Sequence, residues 1–497
     1  MKRFFLLLLI CAALLTACGQ EPDAEQTELW VVTEKSADGG MNDQAQMLVE
    51  RFQEAHPEIS IRLDILPVKE ESRDAYLQKI RSEVMSGAGP DVYLMPTAPL
   101  TPPAEESFST ACMEPLYRDV VQQMYNGIFT DISAYYDADD TLGKESLVTG
   151  VMDAGVMDGA RYVLPLRYTY DVLLADVDAL TEMGVDMTIF DGSVDEIYDL
   201  ALELDDEITA HALATVPGWA SLSDCIDHQT ENVLLDAGET AELMTNYWAV
   251  RELENIEAHQ DVVEWYGGVR VVLQAGYPGY VCDISSFIYG EDGERFFTQA
   301  EYPIMRIDLE DCIEAAATVK MSGENIAMLP VRAADGGLVA EITYYGAVGA
   351  GCEDPELAYE FLRMFRSEEI QWEQYPPRNS TRASGMVEAG YPVRVYGFAE
   401  MLYESIREKL IESDRRCEQM KYYFGRTRRR KFMDEAFTID DSDVPALTAQ
   451  VDEARFPIAT EEGDLFKQYL NQAADGSDAL TLAEQMIDEL KWYLAQG

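Results

Sequence analysis

Residues 28–95 read ELWVVTEKSADGGMNDQAQMLVERFQEAHPEISIRLDILPVKEESRDAYLQKIRSEVMSGAGPDVYLM, and the succession of periodicities in this stretch decides the fold. Glu28 to Thr33 is a short β-rich run, and Gly39-Gly40 lies in the loop expected after it. Ala45, Leu48, Val49 and Phe52 recur at i, i+3, i+4 and i+7, which places them on one buried face of a helix. His56-Pro57 stops that helix, because the proline ring crowds the preceding residue out of the α region. Ile59, Ile61, Leu63 and Ile65 alternate as a second strand. Ser72 to Met85 has helical composition, and Ser86-Gly87-Ala88-Gly89-Pro90 breaks it. Asp91 to Met95 then forms a third strand. The order β-α-β-α-β predicts a parallel sheet covered by helices. In such sheets ligands bind outside the carboxyl ends of the strands, which puts Thr33-Glu34 and Pro96-Thr97-Ala98 at the expected mouth of a cleft.

Upstream of this unit, Lys2 and Arg3 precede an uncharged apolar run from Phe4 to Leu15, and Leu15-Thr16-Ala17-Cys18 closes it. That order is a secretory signal, too short for a confident membrane span. The small residues before Cys18 resemble a bacterial lipobox, which makes Cys18 the lipidated first residue of the mature chain and tethers it to a membrane. The alternative is an ordinary cleaved signal in which Cys18 is incidental. Residues 1–17 are thus the signal and 18–27 a polar linker.

The 92 acidic residues outnumber the 37 basic ones, for a net charge of −55, so the surface repels nucleic acid and disfavours anionic ligands. With 47% apolar and 26% charged residues the chain is globular, and its length calls for two lobes rather than one core. Beyond Cys11 and Cys18, six cysteines remain: Cys112, Cys225, Cys282, Cys312, Cys352 and Cys417. They are compatible with three disulfides or with buried thiols, and without a C-x-x-C spacing a zinc knuckle or redox motif is unsupported.

The lipobox, ELWVVTE, VERFQEAHP, ISIRLDILP and YLQKIRSEVMSGAGPDVYLMP together resemble the family 1 extracellular solute-binding proteins of ABC importers. RYVLPLRYTYDVLLAD, GYPGYVCDISSF, ITYYGAVGAGCEDPELAYEFLRMFRSEEIQ, YPPRNSTRASG and the closing TLAEQMIDELKWYLAQ follow in the family's order. Ala483, Met486, Ile487, Leu490 and Leu494 supply the apolar face of that last helix. Each motif is modest alone; their order carries the resemblance. Residues 99–160, 295–325 and 398–456 depart from the family pattern. The resemblance implies an α/β, two-lobe, periplasmic-binding-protein-like clamshell, each lobe a mostly parallel sheet flanked by helices, with additional C-terminal helices. Lobe 1 would comprise 28–168 with about 325–375, and lobe 2 169–324 with about 376–497. Pro165 to Tyr170 matches the first crossing between lobes, and Glu324 to Pro330 begins the return. A carbohydrate held between the lobes would pass to the transmembrane subunits of an ABC permease, and the receptor is expected to be a monomer.

No catalytic constellation is visible. His56, His211, His228 and His259 read as surface or structural residues, and H-E-x-x-H, G-x-S-x-G and P-loop patterns are missing from the sequence. Asp137 to Gly143 is similar to a calcium loop, but its glycine comes one position late, so it reads as a solvated acidic loop; no metal or cofactor is expected. The basic cluster Arg426 to Lys431 reads as a solvated stretch, with contact to membrane or permease as the alternative. Aromatic faces stack on sugar rings while carboxylates and amides bind hydroxyls. The candidate pocket is therefore Glu34 and Thr97 after strand ends, Arg167, Tyr168 and Tyr170 in the expected hinge, and, from loops that the resemblance matches to the family's second-lobe face or return segments, Trp219, Tyr280, Asp283, Tyr344 and Arg378. Trp219, in the turn Val216-Pro-Gly-Trp219, is the sharpest of these. Two competing readings remain at the level of sequence: an exported polysaccharide-processing enzyme using two carboxylates, and a solute sensor serving a signalling partner.

Overall fold

The computed structural model describes residues 28–34, 40–67, 70–97, 115–190, 192–193, 196–197, 199–200, 226–227, 232–252, 263–266, 269–272, 304–309, 312, 316, 319–320, 325–333, 336–366, 391–392, 439–457, 469 and 478–494. The first unit folds as its periodicities require. Strand β1 (Glu28–Thr33), helix α1 (Gly40–Ala55), β2 (Ser60–Ile65), α2 (Glu70–Met85) and β3 (Val92–Pro96) alternate, and β1 pairs in parallel with both β2 and β3. Ala45, Leu48 and Phe52 are fully buried on one face of α1, where Phe52 meets Phe361 at 5.3 Å between ring centroids. Several boundaries differ from expectation by a residue or two. Gly40 opens α1 rather than lying in the preceding loop, at a helix start where glycine costs little. Asp91 lies just outside β3, where its carboxylate accepts the Trp30 backbone N–H at 2.7 Å.

The chain then returns in β4 (Val163–Thr169) and leaves the sheet in β5 (Asp171–Asp176). Helix α3 (Ala237–Glu252) and β6 (Ile304–Asp308) precede β7 (Ile326–Pro330), and β8 (Val339–Val348) rejoins the first sheet. Helix α4 (Pro355–Phe365), β9 (Tyr391–Pro392), β10 (Glu453–Arg455) and α5 (Ala479–Leu494) complete the elements that matter here. The seven-stranded sheet runs β9-β4-β8-β3-β1-β2, with β10 pairing alongside β8. It is mixed: β8 lies antiparallel to both β3 and β4, and therefore β4 points the same way as β1, β2 and β3. A second sheet, β6-β5-β7, is antiparallel throughout.

Two hydrophobic cores follow. The large one packs both faces of the seven-stranded sheet, and the smaller gathers Leu173, Ala175, Ile304, Met244, Met486 and Leu490. Strand β5 serves both, because Val172 and Leu174 point into the first while Leu173 and Ala175 point into the second. Of the predicted face of the closing helix, Ala483, Met486 and Leu490 are buried in the second core and Ile487 is buried as well; the Leu494 side chain lies outside the described ones.

Away from the sheet edge, His56 and Asp139 make structural contacts. His56 stacks on Phe52 at 4.4 Å. Asp139, in the calcium-like stretch, accepts from the Thr141 backbone N–H at 2.9 Å, the Tyr359 hydroxyl at 3.2 Å and Arg363 at 3.5 Å, which closes a turn. Among the described residues no group of three or more His, Cys, Asp or Glu is placed to hold a metal ion, and no helix is long and apolar enough to cross a membrane. Cys352 is a free thiol, and burial beside Asp91 pushes it up to about 12; Cys312 is buried in the first core. Cys18, the other five cysteines, the remaining histidines and Arg426 to Lys431 lie outside the described residues.

Candidate functional site at the carboxyl edge of the sheet

Four strands, β1 to β4, end on one edge of the seven-stranded sheet, and the predicted residues that are described sit along it. Glu34 directly follows β1 and Thr97 follows β3. Arg167 and Tyr168 close β4, and Tyr170 is the single residue between β4 and β5. Tyr344 lies in β8 opposite Pro96 on one side and Arg167 on the other. Trp219, Tyr280, Asp283 and Arg378 lie outside the described residues.

Register separates the six into two faces. Val32 pairs with Tyr93, so Glu34, two residues on, aligns with Met95, which in turn pairs with Tyr345. Glu34 therefore shares a face with Tyr345, whereas Tyr344 and Arg167 are paired on the opposite one. The edge brings the six to one end of the sheet but not to one surface. All six are 5% exposed or less, so none forms an open wall.

Their partners are specific. The Thr97 hydroxyl donates to the Ile342 carbonyl at 2.6 Å and its N–H to the Thr343 carbonyl at 3.0 Å, which fastens the end of β3 to β8. Tyr168 and Tyr170 stack with centroids 6.2 Å apart, and the Tyr170 hydroxyl donates to the Ala446 carbonyl. Burial raises the Tyr170 phenol above its ordinary range, so it remains a neutral donor. Glu34 is ion-paired with Arg73 at 2.7 Å, both groups being buried. Burial raises the Glu34 carboxyl above its ordinary value, opposed by the Arg73 charge and hydrogen bond and by the Leu116 amide.

Sequence reasoning missed Arg73 and Tyr345. Arg73 is one of several basic residues in a charged helix, and only the packing of α2 against the ends of β1 and β2 singles it out. Tyr345 cannot be told from its neighbour Tyr344 by sequence, because the residue that shares Glu34's face depends on the β3–β8 register.

No protein-family model matches the chain, and no curated protein matches it either. Solved structures do align with it. A family 1 extracellular solute-binding protein from Alicyclobacillus acidocaldarius covers 95% of this chain and 100% of its own, at 13% identity and a TM-score of 0.47. The galacto-N-biose/lacto-N-biose I-binding protein of the ABC transporter from Bifidobacterium longum, solved with lacto-N-biose, covers 95% and 98%, also at 13% and 0.47. A de novo designed cysteine esterase, ECH19, covers 95% and 98% at 11% identity, with a TM-score of 0.52. That last likeness is one of fold alone, a helix-flanked α/β architecture, and esterase activity is a property of the design.

Proposed function

We propose that this chain is a lipid-anchored, extracytoplasmic solute-binding receptor of an ABC import system, of the family 1 class its motif order resembles. It would capture a carbohydrate, an oligosaccharide by preference, between two lobes and deliver it to the permease subunits, without turning it over. The observation that carries this reading is where the chain changes sheets. It leaves the first sheet at Tyr170 and comes back between Pro330 and Val339, next to the edge that carries Glu34, Thr97 and Arg167. A clamshell needs its crossings beside its ligand edge, since closure then brings the second lobe over that edge. On this reading the lobes are 28–168 with about 325–375 and 169–324 with about 376–497, the latter lending 391–392 and 439–457 to the first lobe's sheet and core, Cys18 carries the anchor, and the receptor works as a monomer. Trp219, Tyr280, Asp283 and Arg378 would contribute the pocket's second side, with Trp219 stacked on a sugar ring.

Calorimetry of the mature protein against a panel of mono-, di- and trisaccharides, lacto-N-biose and mannotriose among them, tests the reading. Binding without hydrolysis is expected, and Trp219→Ala should weaken it by about 1–3 kcal/mol. Released monosaccharide would favour the enzyme reading, and equal affinity of the Trp219→Ala variant would remove Trp219 from the site. In cells, Cys18→Ala should move the protein from the membrane to the soluble fraction; full retention there would exclude Cys18 as the anchor.

A further inference from the structure

Glu34 is held by one oxygen. Arg73, on the first turns of α2, donates to Glu34 Oε1 at 2.7 Å and to the Pro67 carbonyl at 3.2 Å, so a single guanidinium clamps the residues that follow β1 and β2. The Leu66 N–H donating to the Thr33 carbonyl at 2.9 Å continues the β1–β2 pairing up to that clamp. The other oxygen, Glu34 Oε2, is buried and has no hydrogen-bond partner among the described residues, and the Tyr345 hydroxyl on the same face has none either. A buried carboxylate oxygen left unpaired is costly, and such groups concentrate where function requires them. Out of bulk water, a hydrogen bond made to that oxygen is also stronger.

We propose that Arg73 is a positioning residue for ligand capture, fixing the Glu34 carboxylate through Oε1 so that Oε2 accepts a hydroxyl of the bound carbohydrate, with the Tyr345 hydroxyl as a second polar group on that face. This rests on the reading of the edge as a carbohydrate site. A rigid bidentate donor suits the task because its planar fork engages two acceptors at fixed angle, which an ammonium does not. Among the described residues the groups facing Glu34 are Arg73 from α2, the Leu116 amide, and Tyr345 from β8, whose hydroxyl senses both Glu34 and Tyr117. Arg73 is the one cation of this set, and its charge and hydrogen bond oppose the rise that burial imposes on the Glu34 carboxyl.

The test titrates the tightest-binding sugar of the panel into wild type, Arg73→Met and Arg73→Lys by calorimetry between pH 5 and 8, with thermal melts alongside. Arg73→Met is expected to weaken binding about tenfold or more, the scale of a lost hydrogen bond to a charged group. Its remaining affinity should improve with rising pH over a range displaced upward from that of wild type. Arg73→Lys, which keeps the charge and gives up the fork, should lose severalfold with the pH profile nearly restored. A purely structural Arg73 would lower the melting temperature of both variants and leave affinity and pH profile alone, and that outcome overturns the proposal. If Arg73→Met does not fold, Arg73→Lys with wild-type affinity overturns it equally. A wild type that binds no sugar in the panel overturns the carbohydrate reading and this inference together.

Discussion

At Asp64 three elements meet on one carboxylate. It accepts from the Trp30 indole at 3.0 Å, the Tyr76 hydroxyl at 2.6 Å and the Arg62 guanidinium, whose carbon also lies 4.1 Å from the centroid of the Trp30 ring. Burial works to raise the Asp64 carboxyl, but the bonds from Arg62 and Tyr76 outweigh it and hold the group below its ordinary 3.8. A carboxyl depressed in the folded state stabilises fully above the unfolded value, and the contribution disappears as pH falls through the folded one. Asp64→Asn should therefore cost about 1–2 kcal/mol at pH 7, a hydrogen-bonded charge discounted for partial exposure. It should also flatten the loss of stability below pH 4. Denaturant melts at pH 7 and pH 3 check both; an unchanged acid slope would show that Asp64 does not titrate with folding. Nothing in the sequence marks Arg62 and Asp64 as partners of Trp30, because the contact exists only in the register that sets Trp30 opposite Arg62. The same limit hid Arg73 and Tyr345 while leaving Glu34 and Thr97 legible, since a strand's end can be read from periodicity and its neighbour's register cannot.

Among elements, the legible ones carry their own period. The faces of α1 and α5 were readable because residues at i, i+3, i+4 and i+7 need no knowledge of what they pack on. Strand β8 was harder: Ile-Thr-Tyr-Tyr-Gly-Ala-Val breaks its alternation, and the structure shows irregular pairing with β4 between Ile342 and Tyr345. Its glycines explain the rest. A Cβ on Gly346 would sit 2.8 Å from Leu362 Cδ2, the flexible end of a side chain on α4. A Cβ on Gly349, just past the strand, would sit 2.1 Å from the Pro90 carbonyl oxygen, which is backbone held beside β3. The two substitutions should therefore rank by what must yield. Gly349→Ala is expected to cost more than about 2 kcal/mol and Gly346→Ala about 1–2 kcal/mol. Paired thermal melts decide it, and the reverse order would mean that the Pro90 turn yields more readily than the α4 seat.

For the whole molecule, the two cores are not independent bodies strung on a linker, since β5 divides its side chains between them. The segment 439–457 adds a second tie. It buries Val444, Ala446, Val451 and Phe456 in the first core, accepts the Tyr170 hydroxyl at Ala446, and runs β10 alongside the start of β8. Any lobe closure must then turn about Tyr170 and the 331–338 return while these contacts hold, which favours a small rotation over a wide opening. On the proposed function, adding a bound sugar should reduce the radius of gyration in small-angle scattering by a modest amount. Stability should rise as RT ln(1 + [L]/Kd), about 2.7 kcal/mol at a hundredfold excess over Kd. The two readouts separate what one cannot: stabilisation follows from binding of any geometry, but compaction requires the crossings to act as a hinge. Tight binding with the expected stabilisation and an unchanged radius would leave a binding protein whose site does not lie between moving lobes.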